Sequence, residues 1–598
     1  MKQNRLFNLL GIVVVLAMIL TACAPAATAV PTTAPTKAPE ATKAAVATTA
    51  PVATTAPVAT KAPEATKAPE ATKAPEATKA PEWKALSLAA PDCNYGGTMK
   101  KIEATDKYTV KFTFCQPEIA FLGKISLPGY GILDADNLNA TGGDSSKITP
   151  KPVGTGPYIV KDYARGTQII MEPNPNYWGT KVQNTQFILK WNKEAAARLL
   201  ELQSGNADAI DNPGTDDYVT IEKDKNLKLN IRTAAQVLYM GMNNTIKPFD
   251  NEKVRQAFSI GLDKQRIIDN FYPKGSVAAE QAVPSTVKPG YTDGLKWPKF
   301  DKAAAVALLK EANFDFNQEI TLWYAERTRG YFPQPTKIAQ DIQAQYKELG
   351  VKIKLSVQEW ATYLPMTREG KTGLFLLGWG EDYPDATNWY DVFFMGTSKS
   401  FGNAYPDLVE NIKKGASTGD LAVRQAAYDA VNKLFTTRLP WVSIANPVSA
   451  LAQRAEMTGV VIGPYNENFQ NWVTKSGKVV FSQNGEPVGL FCADETDGDS
   501  FRVCDMIYDQ LYAFKFGTGE PAPSLAEKCA ANADLTEWTC TLRKGVKYSN
   551  GAEFDAADVF ATFTTMWDAK NVNHKGNTGN FQYWADFFGG FLNPPAKK

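Results

Sequence analysis

Residues able to carry out catalysis are scarce in this sequence. Its single histidine, His574, lies in the Gly- and Asn-rich stretch NVNHKGNTGN. One histidine cannot build a multi-histidine metal site, so we expect a solvated loop residue, no zinc hydrolase and no nickel held by histidine clusters. The sequence indicates neither a metal site nor a cofactor. Carboxylates are numerous, and an acid pair of the glycosidase type stays open, although nothing in the pattern points to one.

A serine motif offers a second route to catalysis. Residues 415–419, GASTG, match the Gly-x-Ser-x-Gly pattern of a nucleophile elbow. That motif needs a buried strand before the serine, whereas the preceding DLVENIKK has the spacing of an amphipathic helix. Asp420 is suited to cap a following helix from Leu421 to Phe435. We therefore expect Ser417 in a loop between two helices rather than in an active site.

The cysteines indicate an oxidising compartment. None of the six that follow Cys23 has the Cys-x-x-Cys spacing of a redox motif or a zinc knuckle. Local geometry favours pairing between neighbours, because AANADLTEWT reads as a hairpin and KKIEATDKYTVKFTF folds back near Thr105-Asp106. The predicted disulfides are Cys93–Cys115, Cys492–Cys504 and Cys529–Cys540.

The N-terminus predicts export and lipid attachment. Lys2 and Arg5 precede an apolar run from Leu6 to Leu20, which is shorter than a membrane-spanning helix usually needs. The next residues, Leu-Thr-Ala-Cys, resemble a bacterial lipobox, which implies a signal peptide of residues 1–22 and lipid on Cys23. An ordinary signal peptide with an accidental cysteine is the alternative. Lipid alone would hold the protein at the outer face of the cytoplasmic membrane.

Residues 23–83 are predicted to form a disordered stalk. They are almost entirely Ala, Pro, Thr, Lys, Glu and Val, and the unit Lys-Ala-Pro-Glu-Ala-Thr repeats from Lys61 to Thr78. Prolines at this spacing block helix and sheet, and the segment has too little apolar surface to offset the entropy of ordering.

The rest of the chain has the composition of a protein with several lobes. It is part of a 598-residue sequence with 44% hydrophobic residues, too long for one core. Basic and acidic residues are balanced, 64 against 63, so there is no electrostatic footprint for nucleic acid. Aromatic richness with neutral charge suits a soluble binder of small ligands, and it suits any well-packed core equally.

Several stretches of the body together resemble one family. They are PVGTGPYIVKDY with EPNPNYWG, ELQSGNADAID, MNNTIKPFDNEKVRQAFSIGLDKQRII, VQEWATYL, LGWGEDYPDATNW and LRKGVKYSNGAEFDAADV. All look like the family-5 extracytoplasmic solute-binding proteins, the receptors of oligopeptide, dipeptide and related ABC importers. The resemblance implies an α/β fold of the periplasmic-binding-protein type II class, a two-lobed clamp with an extra peripheral domain.

The order of these stretches differs from the family's order. The stretch from Leu542 to Val559 precedes the stretch from Pro152 to Gly179 in the family, and reading residues 478–598 before 84–476 restores that order. We therefore predict a circularly permuted chain, since joining ends that lie close alters few packed contacts. A gene-assembly error is the alternative. The implied domains are the peripheral domain (508–598 and 84–145), lobe I (146–245 and 440–507) and lobe II (246–439).

The resemblance also implies a ligand site between the lobes. Asp382, within GWGEDYPDATNW, matches the aspartate that accepts the ligand's α-ammonium group in peptide-binding members. The implied neighbours are Trp379 and Tyr383 as walls, Asn388 as a hydrogen-bonding group, Asn243 and Glu486 from the other side of the cleft, and Arg329 or Arg327 for a ligand carboxylate. A turn-capping role for Asp382 before Pro384 is the structural alternative.

The predicted function is that of a monomeric receptor delivering its ligand to the permease of an ABC importer. A peptide ligand is favoured because of Asp382, and an oligosaccharide remains the alternative because aromatic residues are abundant. A secreted hydrolase and a surface adhesion or signalling protein are hypotheses of other classes.

Overall fold

The computed structural model describes residues 83–395 and 398–594. The predicted signal peptide, Cys23 and the stalk up to residue 82 lie outside the described residues. Within these residues, the secondary structure is a mixture of helices and strands distributed over three main sheets. The predicted α/β fold class is therefore confirmed.

The described residues form twenty strands, of which eighteen belong to the three main sheets and two, β17 and β18, form a two-stranded sheet. The strands are β1 (Leu86–Ala89), β2 (Met99–Asp106), β3 (Thr109–Phe114), β4 (Tyr158–Ala164), β5 (Gln168–Pro173), β6 (Gln186–Trp191), β7 (Ala209–Asp211), β8 (Leu227–Arg232), β9 (Gln236–Met242), β10 (Val277–Ala278), β11 (Glu319–Ala325), β12 (Lys352–Gln358), β13 (Leu374–Gly380), β14 (Trp441–Asn446), β15 (Ser449–Arg454), β16 (Lys478–Gln483), β17 (Tyr512–Phe514), β18 (Pro521–Pro523), β19 (Ala526–Ala531) and β20 (Glu537–Leu542).

Sixteen α-helices accompany these strands in the described part of the chain. The helices are α1 (Phe121–Lys124), α2 (Ala135–Thr141), α3 (Ser145–Ile148), α4 (Ala195–Ser204), α5 (Asp217–Lys223), α6 (Glu252–Ile260), α7 (Lys264–Phe271), α8 (Lys302–Glu311), α9 (Pro335–Glu348), α10 (Trp360–Arg368), α11 (Thr387–Phe394), α12 (Pro406–Ala416), α13 (Leu421–Arg438), α14 (Gly498–Ile507), α15 (Ala556–Trp567) and α16 (Gln582–Phe588).

Lobe I is built on a seven-stranded sheet in the order β4-β5-β6-β16-β7-β15-β8. Strand β16 lies in the middle and runs parallel to both β6 and β7. It follows a tight turn in which Gly477 adopts a positive φ of 73° and accepts a hydrogen bond from the Thr185 amide (2.7 Å). The segment that begins at Lys478 is therefore an integral central strand of lobe I.

Lobe II is built on a six-stranded sheet in the order β10-β14-β9-β13-β11-β12. This corrects the predicted boundaries at 245/246 and 439/440, because β9 and β14 pair with each other and with lobe II strands. The chain crosses between the lobes at residues 233–235 and 447–448, between the ends of these strands and β8 or β15.

The peripheral domain joins both ends of the body in one five-stranded sheet, in the order β1-β2-β3-β20-β19. Strand β20 pairs antiparallel with β3, and the Leu542 amide donates to the Tyr108 carbonyl (2.8 Å). Near the C-terminal end, the Gly590 amide donates to the Gly96 carbonyl (2.8 Å). The C-terminal segment therefore packs on the start of the body.

The buried apolar residues form two large clusters. One runs continuously through the peripheral domain and lobe I, and the other fills lobe II. Tyr383 and Val392 of lobe II join the first cluster. Peripheral domain and lobe I thus share one core, while most of lobe II has its own.

Several local predictions can be compared with the structure. Ser417 lies between α12 and α13, and Asp420 caps α13 by accepting from the amides of Ala422 and Val423 (2.9 and 3.1 Å). The elbow motif is therefore a helix–helix loop, as predicted. The prediction of a solvated His574 is wrong, because its ring stacks on Phe581 with centroids 4.2 Å apart. Its Nδ1 lies 2.7 Å from the Thr565 carbonyl.

The predicted disulfide pairing is confirmed. Cys529 and Cys540 face each other across the β19–β20 hairpin, and the two other bonds close short segments. Among the residues that the structure describes, no helix has the length and apolarity needed to cross a membrane.

Candidate functional site

A cavity of about 250 Å³ lies between the two lobes, next to both chain crossings. Lobe I contributes Arg232, Tyr465 and Arg502 to its wall, and lobe II contributes Glu381 and Asp382. Strand β13 ends at Gly380, so the two acidic residues that follow it, Glu381 and Asp382, lie at the edge of the lobe II sheet. The cavity is therefore lined by charged and aromatic side chains from both lobes.

Asp382 is held by hydrogen bonds from two directions. Its Oδ2 accepts from Asn388 Nδ2 (3.0 Å), and its Oδ1 accepts from the Tyr583 hydroxyl (3.1 Å). Asn388 is fully buried, and its Oδ1 accepts from the Asp382 amide (2.9 Å) and from Trp379 Nε1 (3.1 Å). Asn388 therefore fixes the position of Asp382, and Trp379 fixes Asn388.

The carboxylate of Asp382 has no cationic partner among the residues that the structure describes. Arg368 forms a two-pronged ion pair with Asp586 (3.1 and 2.8 Å). Burial raises the pKa of Asp382 to about 7, and the negative charge of Asp586 adds to the rise. A buried carboxylate without a counter-charge is costly, and an incoming cation would offset that cost.

Glu381 is a second buried acid in the cavity wall. It is 7% exposed, and its Oε1 has no hydrogen-bond partner in the described part of the chain. Its Oε2 accepts a long hydrogen bond from Thr286 (3.4 Å). Burial raises the pKa of Glu381 to about 8. The lobe II side of the cavity is therefore acidic and short of positive charge.

The arginines of the cavity are already paired. Arg232 contacts Asp211 (2.8 Å) and Glu467 (2.6 Å), and Arg502 contacts the same two carboxylates (3.1 and 3.4 Å). Arg502 also lies 3.7 Å from Asp499. This buried ionic network (Arg232, Arg502, Asp211, Glu467 and Asp499) holds the lobe I wall in place.

Two further arginines follow β11 and approach the cleft. Arg327 of lobe II lies 3.6 Å from Asp499 of lobe I, which makes an ion pair across the cleft. The Arg329 guanidinium stacks over the Trp360 ring, 4.6 Å from its centroid. The adjacent Gly330 lines the cavity. The segment is thus positioned at the cleft, with Arg329 held by an aromatic ring.

Comparison with known proteins identifies the family of the chain. A family model described as bacterial extracellular solute-binding proteins, family 5 middle, matches residues 42–401 and 520–586. The chain belongs to this family. It is accordingly a solute-binding protein and not an enzyme, and the α/β architecture with two lobes fits that membership.

Individual relatives of this solute-binding protein differ in what their names say they bind. Di/tripeptide-binding protein 1 of Pseudomonas aeruginosa (strain UCBPP-PA14) is 30% identical over 390 residues, which is 63% of this chain and 71% of the relative. Heme-binding protein A of Haemophilus influenzae is 26% identical over 388 residues, covering 64% and 70%. A crystal structure of the dipeptide-binding protein of Pseudoalteromonas sp. SM9913 in complex with Met-Leu has a TM-score of 0.58 and 25% identity, covering 63% of this chain and 76% of that chain.

Asp382 is the one predicted site residue in the lining of the cavity, and three of the others, Tyr383, Asn243 and Glu486, are engaged elsewhere. Tyr383 is buried against Phe587 of the peripheral domain (centroids 5.3 Å apart), and we assign it a packing role. Asn243 follows the far end of β9 and binds the Gly370 and Lys399 carbonyls (3.2 and 3.1 Å).

Glu486 is the third of these residues. Its carboxylate accepts from the Gly166 amide (3.1 Å) and lies 3.6 Å from Arg165, so it is satisfied within lobe I. Asn388 and Trp379, in contrast, lie outside the cavity wall but support Asp382 through linked hydrogen bonds. Among the described residues, no cluster of His, Cys, Asp and Glu could hold a metal ion.

Other residues of the site are missing from the sequence-based prediction. Tyr583 reaches Asp382 from helix α16 of the peripheral domain, and no local pattern links two residues 201 positions apart. The sequence points only weakly to Arg502 and Asp505 as site residues, in that they are charged residues that interrupt the apolar face of SFRVCDMI. Glu381 directly precedes Asp382, and its burial depends on the opposite lobe.

Proposed function

We propose that this protein is a receptor that captures a peptide between its two lobes. Asp382 accepts the α-ammonium group of the peptide, and Asn388 and Tyr583 hold the carboxylate in place. Trp379 acts indirectly by orienting Asn388. The chain makes no chemical change to its ligand, in keeping with a family of binding proteins.

One observation carries the proposal, namely a partly buried carboxylate in an interlobe cavity without a cation beside it. Hydrogen bonds from Asn388 and Tyr583 stabilise the ionised form but supply no positive charge. A peptide ammonium supplies it in the form of a charge-assisted hydrogen bond. The peptide ligands in the names of two of the relatives support this assignment. Because the family also includes a heme-binding protein, the assignment to a peptide depends on Asp382.

We further propose that Arg329 meets the carboxylate end of the ligand. Its guanidinium forms no ion pair with any carboxylate in the described ranges, and stacking on Trp360 limits its freedom. Arg327 is a weaker candidate because Asp499 already lies beside it.

Ligand capture is proposed to involve closure of the lobes about the two crossings. Most of lobe II has its own core, and the chain passes between the lobes at residues 233–235 and 447–448. Two short connections of this kind can act as a hinge about which one lobe turns against the other, with the packing of Tyr383 and Val392 on the first cluster rearranging. Gln334 Nε2 and Thr215 Oγ1, 3.0 Å apart, would separate on opening.

The receptor is proposed to act as a monomer on the outer face of the membrane and to pass its ligand to an ABC importer. Lipid on Cys23 and the stalk would provide the attachment. Replacing Cys23 with serine would release the protein into the medium, and deleting the gene would reduce uptake of the cognate peptide. Retention of a Cys23→Ser protein on membranes would contradict the anchor.

We also propose that the chain is circularly permuted relative to its family. Alignments in chain order cover 63% of this chain but 71% of a relative, so part of each is left over. The C-terminal segment completes the sheet that the start of the body begins, through β20 and β3. Those contacts are expected if the family's chain ends, in lobe I, have been joined and new chain ends have been opened in the peripheral domain.

Isothermal titration tests the proposed ligand class. The purified protein is titrated with tripeptides, with the same tripeptides acetylated at the α-amino group, and with xylo- and cello-oligosaccharides. We expect micromolar or tighter binding of free tripeptides and a loss of at least 30-fold on acetylation. Equal affinity for the acetylated peptides, or binding of sugars alone, would contradict the proposal.

A further inference from the structure

A second cavity adjoins the first on the lobe I side. It has a volume of about 200 Å³. The two cavities share the wall residues Asn466, Glu467, Phe469, Asp505 and Phe514. They are therefore neighbouring chambers, and their combined size falls in the range of about 300–1,000 Å³ typical of ligand pockets.

Asp505 lies in the shared wall and has no cationic partner among the described residues. Its one side-chain hydrogen bond is a long one from Gln510 Nε2 (3.4 Å). Arg232 and Arg502, the nearby arginines, are committed to Asp211 and Glu467. Burial and the negative charge of Asp509 raise the pKa of Asp505 to about 7. This carboxylate repeats the situation of Asp382 in a different part of the pocket.

Asn466 supplies an independent sign that a donor is missing at the same place. It is 8% exposed, and its Nδ2 donates to the Phe514 carbonyl (2.8 Å). That bond leaves its Oδ1 as a buried acceptor with no partner in the part of the chain that the structure describes. Buried acceptors normally have hydrogen-bond partners. A carboxylate and an amide oxygen in one wall both require N–H donors.

The second cavity has aromatic walls suited to a cation. Tyr177, Trp178 and Phe516 line it beyond the shared wall, together with Lys515, whose ammonium group is paired with Glu520 (2.8 Å). Asp509 is partly satisfied by Trp178 Nε1 (2.8 Å), and Arg543 stacks on the same indole (4.5 Å). Aromatic faces attract ammonium and guanidinium groups, and they also pack on the aliphatic stem of a lysine or arginine.

We propose that Asp505 and Asn466 form a subsite for a basic side chain, which makes the preferred ligand a peptide containing lysine or arginine. The inference depends on the proposed function, since the peptide's α-ammonium group occupies Asp382 while its side-chain cation reaches the shared wall. The two carboxylates then each receive one positive charge.

Matched tripeptides test this subsite in the full-length protein. Lysine is placed at position one, two or three of an otherwise alanine tripeptide, and each peptide is compared with its norleucine counterpart, which keeps the stem and lacks the charge. We expect lysine to bind at least tenfold more tightly than norleucine at one position. In Asp505→Asn, that preference should fall to within about twofold while norleucine peptides retain their affinity. Asp293→Asn, which removes a carboxylate whose side chain is 88% exposed, is the control.

The outcomes separate the two proposals. Equal affinity of the lysine and norleucine peptides for the wild-type protein overturns the basic subsite and leaves peptide capture standing. A lysine preference that survives in Asp505→Asn also overturns the assignment to this residue. Failure of all peptides to bind overturns both proposals. 1,5-Diaminopentane is titrated in parallel, and tighter binding of this diamine than of any peptide would assign the pocket to a free polyamine instead.

Discussion

At the scale of single residues, the central feature is the uncompensated charge of Asp382. Asn388 and Tyr583 each donate one hydrogen bond to its carboxylate and leave further lone pairs open to a ligand, so the residue is well placed but electrostatically incomplete. A folded protein without ligand bears the cost of this arrangement, and a cationic ligand removes it. An asparagine at this position could not bind the ligand in the same way, because its side chain has no negative charge to pair with a cation.

Asp382→Asn is expected to weaken peptide binding by roughly 150-fold, or about 3 kcal/mol, because a buried charge pair loses one partner. Isothermal titration with a tripeptide measures the change. Asp293→Asn, at an exposed surface position, should bind like the wild type. Unchanged affinity in Asp382→Asn would place the ammonium group elsewhere.

Peptide affinity is expected to be greatest between about pH 7 and pH 8. Below pH 7 Asp382 becomes protonated in the ligand-free protein, because burial raises its pKa to about 7. Each further pH unit should then weaken binding by up to about tenfold. Above about pH 8 the peptide's own α-amino group loses its proton. Titrations from pH 5 to pH 9 measure the profile, and a flat acid limb would argue against an ionised Asp382.

At the scale of elements, the buried ionic network couples three parts of lobe I. It joins Asp211 at the end of β7, Arg232 at the end of β8 and Arg502 on α14, with Glu467 between them. These elements form the wall opposite Asp382. Rigidity of this wall follows from the network, because each charge has two or more partners.

Arg232→Met is expected to lower the free energy of unfolding by about 3–5 kcal/mol, because two buried carboxylates lose a shared counter-ion. Arg438→Met is the matched control. Arg438 also bridges two carboxylates, Glu252 and Asp407, but its side chain is 41% exposed. The control should lose no more than about 1 kcal/mol. Urea denaturation compares the two variants, and similar losses would show that burial of the network matters little.

Elements close in sequence were the most predictable. The three disulfides span 11 to 22 residues, so hairpin and fold-back patterns were sufficient to pair them. The lobe boundaries were less accurate, since β9 and β14 are hydrogen-bonded in the lobe II sheet and no feature of their sequence states which sheet they join. Asn243 was misplaced for a related reason. Gln236, at the first end of β9, lines the cavity, whereas Asn243 follows the other end. A strand of seven residues is about 23 Å long.

At the scale of the whole molecule, the arrangement of the chain matters more than its local motifs. The resemblance of several stretches to one family predicted the fold and pointed to Asp382 and Asn388, because each of those stretches is continuous in the sequence. The contact of Tyr583 with Asp382 could not be predicted, since it arises from packing of α16 on lobe II. Ligand-site residues contributed by a distant segment become visible when the three-dimensional packing is known.

Reordering the body is expected to leave the fold intact. A variant that runs from residue 478 to 598 and continues from 84 to 476 opens the chain at the turn before β16 and joins ends that pack in one domain. Its melting temperature should lie within a few degrees of the parent's, with unchanged peptide affinity. Opening the chain after Phe481, inside the central strand β16, is the control and should prevent folding. Failure of the first variant alone would contradict the proposed permutation.

A crystal structure of the protein with a bound tripeptide tests peptide capture most directly. We expect the peptide to lie in the cavity between the lobes, with its α-ammonium nitrogen about 2.7–3.0 Å from a carboxylate oxygen of Asp382. A peptide bound outside this cavity, or bound within it with its ammonium group directed away from Asp382, would contradict the account.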